Sequence, residues 1–189
     1  MKSTTAEAAG CWEIPVGGDA TGTVAVSDDV NGAWTRVPGT TFSSGSGDIA
    51  LYYKENSAAA PNGVTVTMSA GAATYLQAVV DDYGGVSASG SLLASAVAKG
   101  SGTAVDSGAT AAVPAGSLVV AAMMTGGSPG TVTPGSSNGA ALTSRIVSPS
   151  GALASADVLL SAAGPQRAAF TLGAATDWYA ASAVFRVGP

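Results

Sequence analysis

Ser117–Met124 reads SLVVAAMM, an apolar run closed by Thr125-Gly126-Gly127. A run this short, with a β-branched pair at its centre and glycines after it, fits a strand buried on both faces. Its two alanines would suit a helix by propensity alone, so its neighbours decide. Val64–Met68, VTVTM, alternates apolar and polar residues with period two, as a half-buried strand does. Thr23–Val26 repeats that pattern, and Ile49–Lys54, IALYYK, has the β-branched and aromatic content of a strand. Thr74–Tyr83, TYLQAVVDDY, is long enough for one central strand. Arg167–Leu172 and Asp177–Val187 read as two strands around a turn at Gly173-Ala174-Ala175-Thr176. Shorter candidates are Trp12–Val16, Trp34–Val37, Thr110–Val113, Leu142–Val147 and Ala154–Ser161.

Turn residues separate these runs. Asn31-Gly32 is the pair that favours a type I′ hairpin, in which both central residues take positive φ. Ser44–Gly47, Pro61-Asn62-Gly63 and Gly84-Gly85 punctuate in the same way. Gly126–Gly139, GGSPGTVTPGSSNG, reads as the longest loop, too rich in Gly, Pro and Ser for a regular strand. Leu92–Ala98 is Ala-rich but sits between Gly90 and Gly100, and no polar face continues at helical spacing. Frequent punctuation therefore selects an all-β fold: an antiparallel two-sheet β-sandwich of roughly ten short strands with little or no helix. Residues 1–20 are expected to form an N-terminal arm or edge strand, and 21–189 a single domain.

The core of such a domain must be thin. The chain has 189 residues, 47% of them apolar, but 39 of these are Ala. Ala, Gly, Ser and Thr together make 106 residues, while Leu, Ile, Val and Phe sum to 36. Small inward residues let sheets approach closely. Trp34, Tyr52, Leu76, Leu118, Phe170 and Phe185 are the large residues expected to fill the middle.

Composition also excludes chemistry. With no His, there is no Ser-His-Asp or Cys-His nucleophile system and no His-ligated zinc. One Cys cannot form a disulfide within a monomer. Seven scattered Lys and Arg residues, a net charge of −5 and a pI near 4.3 argue against nucleic-acid binding. No apolar run approaches the roughly 20 residues of a membrane-spanning helix. The N-terminus lacks the apolar region of a signal peptide. Ala8-Ala9-Gly10-Cys11 looks like the end of a lipoprotein cleavage box, but without that apolar region Cys11 reads as a small buried thiol near the first strand.

Four stretches together carry a resemblance: DDVNGAWTRV (Asp28–Val37), IALYYKENSAAAPNGVTVTMS (Ile49–Ser69), YLQAVVDDYGGV (Tyr75–Val86) and DWYAASAVFRV (Asp177–Val187). They resemble small-residue-rich jelly-roll or immunoglobulin-like domains of tailed-phage virion proteins and actinobacterial surface proteins. In such domains the first stretch reads D-S-x-G-N-x-W/Y-T, here altered to Asp-Val-Asn-Gly-Ala-Trp-Thr. The resemblance spans roughly Ala20 to Val187 and implies a fold more than an activity. It brings no catalytic residues with it. It departs at the N-terminus, where a long apolar first strand is expected and only Trp12-Glu13-Ile14-Pro15-Val16 is present.

Four constellations could carry function. Asp28-Asp29 and Asp81-Asp82 are carboxylate pairs, but neighbours on a strand point to opposite faces, so neither is a ready acid–base dyad. Asp48 and Asp82 would need the fold to bring them together. Asp28, Asp29 and Asn31 are the calcium candidates, offering oxygens within one loop; the competing reading is a turn whose side chains bond their own backbone. Among the aromatics, Trp34, Tyr53 and Trp178 are the candidates for a sugar-binding platform. Trp12, Ile14 and Val16 are candidate interface residues.

The expectation that follows is a non-enzymatic virion structural protein without cofactor. It would be a capsid decoration or another exposed head or tail component, made in the host cytoplasm. Its partners would be copies of itself, as a trimer or another cyclic assembly, and other virion proteins, with no nucleic acid or membrane. The alternative is a carbohydrate-binding or adhesive module, extracellular or on a cell surface, with a host-surface glycan as partner.

Overall fold

The computed structural model describes residues 10–18, 24–39, 49–58, 60, 63–69 and 76–188. These residues form strands and turns, with no helix among them. All the strand ladders are antiparallel.

The main sheet is built on one long strand. In the order β13-β12-β17-β11-β15-β14 it comprises Ala140–Ala141, Val132–Ser137, Ala168–Phe185, Leu118–Thr125, Leu153–Leu159 and Thr143–Val147. A further strand, β9 (Leu92–Asp106), runs along β17. β17 gives one stretch, Ala168–Leu172, to β12 and another, Trp178–Phe185, to β11. The two ends of the sheet then meet. β13 passes into β14 through Leu142 alone, and the Leu142 N–H donates to Gly135 O of β12 at 3.0 Å. The main sheet is thus a nearly closed barrel rather than the clear two-sheet sandwich expected from the strand pattern. The physical reason is the length of β17, which has 18 residues and serves two neighbours along one edge.

A second sheet lies against the barrel. It contains β4 (Thr35–Arg36), β5 (Ile49–Ser57), β1 (Gly10–Gly18) and β7 (Leu76–Ala78) in that order, with β8 (Asp81–Gly84) also on β1. Val37, Ile49, Leu51, Val79 and Val86 pack in one cluster with Val120, Ala122, Met124, Tyr179, Ala181, Ala183 and Phe185 of the barrel. The alternate residues Ala121, Met123, Trp178 and Ala180 pack on the other face with Val105, Leu142, Phe170 and Leu172. β11 is therefore buried on both sides, which is why SLVVAAMM carries no polar residue after its Ser. Smaller pieces complete the body: β2 (Ala25–Asp28) with β3 (Gly32–Ala33) and β6 (Val66–Ser69), and β10 (Ala112–Val113) with β16 (Gly164–Pro165). Val24, Val26, Trp34, Ala50 and Tyr52 form the core under the first of these. Of the large residues expected inside, Trp34, Tyr52, Phe170 and Phe185 are buried, while Leu76 and Leu118 are half-buried.

Several expectations change. The turn expected at Gly173–Thr176 does not form. Gly173 and Ala174 N–H donate to Thr131 O and Pro129 O at 2.8 Å each, so the chain stays extended through a register slip. A Cβ on Gly173 would lie 2.7 Å from Thr131 Oγ1, so this glycine serves close approach rather than reversal. Gly126–Gly139, expected as a loop, contains β12 and ends in Asn138-Gly139. Both of these residues have positive φ, and they join β12 to β13 as the type I′ turn. At Asn31-Gly32 only Gly32 has positive φ, at 75°, so that hairpin uses a longer loop. The Ala-rich Leu92–Ala98 is part of β9. Thr74–Tyr83, expected as one strand, shows β7 and β8 separated at Val79-Val80. Both keep the same register on β1, with Val16 opposite Ala78 and Glu13 opposite Asp81. The stretch expected as an arm or edge strand contains β1, and β1 is hydrogen-bonded along both edges, to β5 and to β7 and β8.

Candidate functional site

The Asp28 loop is a knot of hydrogen bonds. Asp28 Oδ1 accepts from Val30 N at 2.8 Å, from Asn31 N, and from Asn31 Nδ2 at 3.1 Å. Its Oδ2 accepts from Trp34 Nε1 at 2.7 Å. Burial pushes the Asp28 carboxyl up, but the four donors together outweigh it and hold the group below the ordinary carboxylate range. Asp29 Oδ1 accepts from Thr65 N at 2.9 Å, and Asn31 Oδ1 from Ala58 N at 2.7 Å. Oxygens that calcium would need are thus aimed at N–H groups. The loop organises its own backbone and ties β2–β3 to the chain around Ala58 and Thr65.

The aromatic candidates do not form a row. Trp34 and Trp178 are 7% and 8% exposed. Tyr53 is half-buried and tilts against Phe185 with ring centroids 5.6 Å apart. Trp12, Ile14 and Val16 lie in β1, where their backbone partners on β5 are Lys54, Tyr52 and Ala50. Asp48 lies outside the described residues, and Asp82 is exposed.

One polar group of residues lies between the two layers. On β15, Ala154 and Ala156 point into the barrel core. Alternation therefore turns Ser155 and Asp157 toward the second sheet, beside Leu153. Both are buried, Ser155 fully. Arg145 of β14 sits where the β14–β15 register slips between Ser144 and Ile146. This irregularity aims its guanidinium at Asp157. The pair is bidentate, Arg145 Nε to Oδ2 and Nη2 to Oδ1, the latter at 2.8 Å. The hydrogen bonds that Arg145 donates to Asp157 hold it charged, raising it from its ordinary value against some burial.

Asp81 and Tyr83 reach this group from β8. Asp81 Oδ2 is buried and accepts no hydrogen bond, and the Ser155 hydroxyl is buried without a partner. Burial pushes the Asp81 carboxyl up from its ordinary value. The Ser155 hydroxyl, near enough to act though not in ordinary hydrogen-bond geometry, opposes the rise; Asp157 adds to it, and Arg145 opposes it. Sequence reading named Asp81 but not Arg145, Ser155 or Asp157. A signal was present: LASADVLL and TSRIVS each hold one charge in an otherwise small or apolar strand, and such a charge requires a partner.

A hollow of about 270 Å³ lies at the β12–β13 turn, lined by Ser137, Asn138, Leu160, Ser161 and Gln166 among others, with no charged side chain. Gln166 is committed there, accepting from Ser137 Oγ and donating to Gly164 O, each at 3.0 Å.

No protein-family model matches this chain, and no curated protein or solved structure matches it significantly.

Proposed function

We infer that this chain is a non-enzymatic structural protein of a virion, a capsid decoration or another exposed head or tail component that acts as a homo-oligomer on the particle lattice. The observation that carries the structural half of this reading is the fate of the polar side chains. Asp28, Asp29 and Asn31 bond backbone in a loop, Asp157 pairs with Arg145, and Asp106 pairs with Arg167 at 3.0 Å. Acid–base or glycosidic chemistry needs convergent carboxyls at an accessible cleft. The one hollow described above has amide and hydroxyl groups instead. The virion half rests on the resemblance to jelly-roll or immunoglobulin-like domains of tailed-phage particles. A Ser- and Thr-rich chain poor in Lys also suits a particle surface.

Mass spectrometry of particles purified from the source culture tests this. Peptides of this chain at a fixed ratio to the major shell protein are expected, together with a defined oligomer in solution. Absence from the particles, with a monomer at micromolar concentration, would overturn it.

A further inference from the structure

We propose that Asp81 is a proton-operated latch between the second sheet and the barrel, drawn tight when its carboxyl is protonated. This holds whether or not the protein is a particle component.

The geometry is that of a half-finished polar network. Asp81 Oδ2 and Ser155 Oγ are both buried at the boundary between layers, and neither has a hydrogen-bond partner. Buried polar atoms without partners are rare and costly, and each demands a physical reason. The charged groups around Asp81 explain why the carboxylate form is poorly served. From the barrel come Asp157 and Arg145, and both Asp157 oxygens are already engaged by Arg145. The positive charge is thus committed to Asp157. From its own strand Tyr83 brings a neutral phenol near Arg145. An ionised Asp81 offers only acceptors; the guanidinium is engaged by Asp157, so the Ser155 hydroxyl is the side-chain donor left to oppose the cost of its burial.

Protonation changes this inventory. A carboxylic acid gains an O–H donor and loses its repulsion with Asp157. The carboxylate oxygens of Asp157 keep lone pairs beyond those used by Arg145, and Ser155 Oγ can accept or donate. A neutral Asp81 can complete hydrogen bonds that join β8 to β15. No covalent step is involved; the proton comes from solvent.

The sign is the reverse of the usual carboxylate case. The group's value in the fold lies above its unfolded value, so folding takes up a proton. The contribution of Asp81 is complete below the ordinary unfolded value of about 3.9. It is lost as pH rises through the higher value in the fold. Acidification from neutrality toward pH about 4 therefore tightens the contact.

Two measurements test the latch on the full chain. Carboxyl-carbon NMR is expected to show Asp81 titrating above the ordinary aspartate range. Amide hydrogen exchange, corrected for intrinsic rates, should slow in β8 and β1 as pH falls. The opening constant changes by up to about tenfold for each unit separating the folded and unfolded values. Asp81→Asn should flatten that dependence while leaving exchange in β11 and β17 unchanged. Ser155→Ala, a milder change, should shift the Asp81 titration further upward. An Asp81 carboxyl that titrates at or below its ordinary value overturns the proposal even if Asp81→Asn fails to fold. So does a wild-type pH dependence that persists in Asp81→Asn.

Discussion

Asp28 shows how much one side chain can hold. It accepts from two backbone N–H groups, one amide and one indole, and it is almost fully buried. Hydrogen bonds to a charged acceptor contribute roughly 1.5–3 kcal/mol, and orphaned donors add a penalty. Asp28→Ala is therefore expected to destabilise the fold by about 2–4 kcal/mol, read as a lower urea midpoint with unchanged slope. Trp34→Phe removes one of the four donors and should cost less. The pH behaviour also follows. Burial alone would raise the Asp28 carboxyl, but its donors hold it low, so its contribution is full above the unfolded value of about 3.9. That contribution is lost as pH falls through the lower folded value. Asp28→Asn should shrink the acid-induced loss of stability below pH about 4. The loop itself was legible, since Asp-Asp-Val-Asn-Gly signals a turn. The indole bond was not, because Trp34 lies six residues away and only the folded hairpin brings its Nε1 to Oδ2.

At the scale of elements, alanine carries the fold. Ala121, Ala122, Ala180, Ala181 and Ala183 are completely buried where β11 and β17 pair, and they pack on both faces. Their size lets the second sheet and the barrel interior both press on one central layer. Ala181→Leu is expected to cost about 1–3 kcal/mol by overpacking, seen as a lower thermal midpoint. Met123→Ala should cost about 2–5 kcal/mol, because the side chain is fully buried and its loss leaves a cavity. A similar test applies to the straight passage of β17. Gly173→Ala puts a Cβ against Thr131 N at 2.9 Å and should weaken the β12–β17 edge. Composition and run length made SLVVAAMM readable as a two-faced strand. They could not show β17 as continuous, because Gly-Ala-Ala-Thr has the composition of a turn. What keeps it extended is hydrogen bonding to Pro129 and Thr131, which come from a distant loop.

For the whole molecule, the all-β class was written in alternation and punctuation, while closure was not. Closure depends on which edges meet, and here β13 and β14 meet through Leu142 alone. The same contact geometry ties the layers into one unit. The cluster from Ile49 and Leu51 to Phe185 and Tyr179 spans both sheets, and the Arg145–Asp157 pair sits at its border. Arg145→Met leaves the Asp157 carboxylate buried without its cation. A fully buried pair broken this way loses roughly 3–5 kcal/mol. The Arg145 side chain is 48% exposed, so solvent screening reduces the loss to about 1–2 kcal/mol. If the shared cluster governs, the layers unfold together. Trp34 reports on the core beneath β2, and Trp178 on the barrel. Trp34→Phe and Trp178→Phe each silence one reporter, both made in a Trp12→Phe background so that the third tryptophan, in β1, does not contribute. In each variant, fluorescence and far-ultraviolet circular dichroism should give one coincident urea transition. Should the fluorescence of Trp178→Phe melt well before its circular dichroism, the second sheet would be a separately unfolding layer. The shared core would then not couple the two.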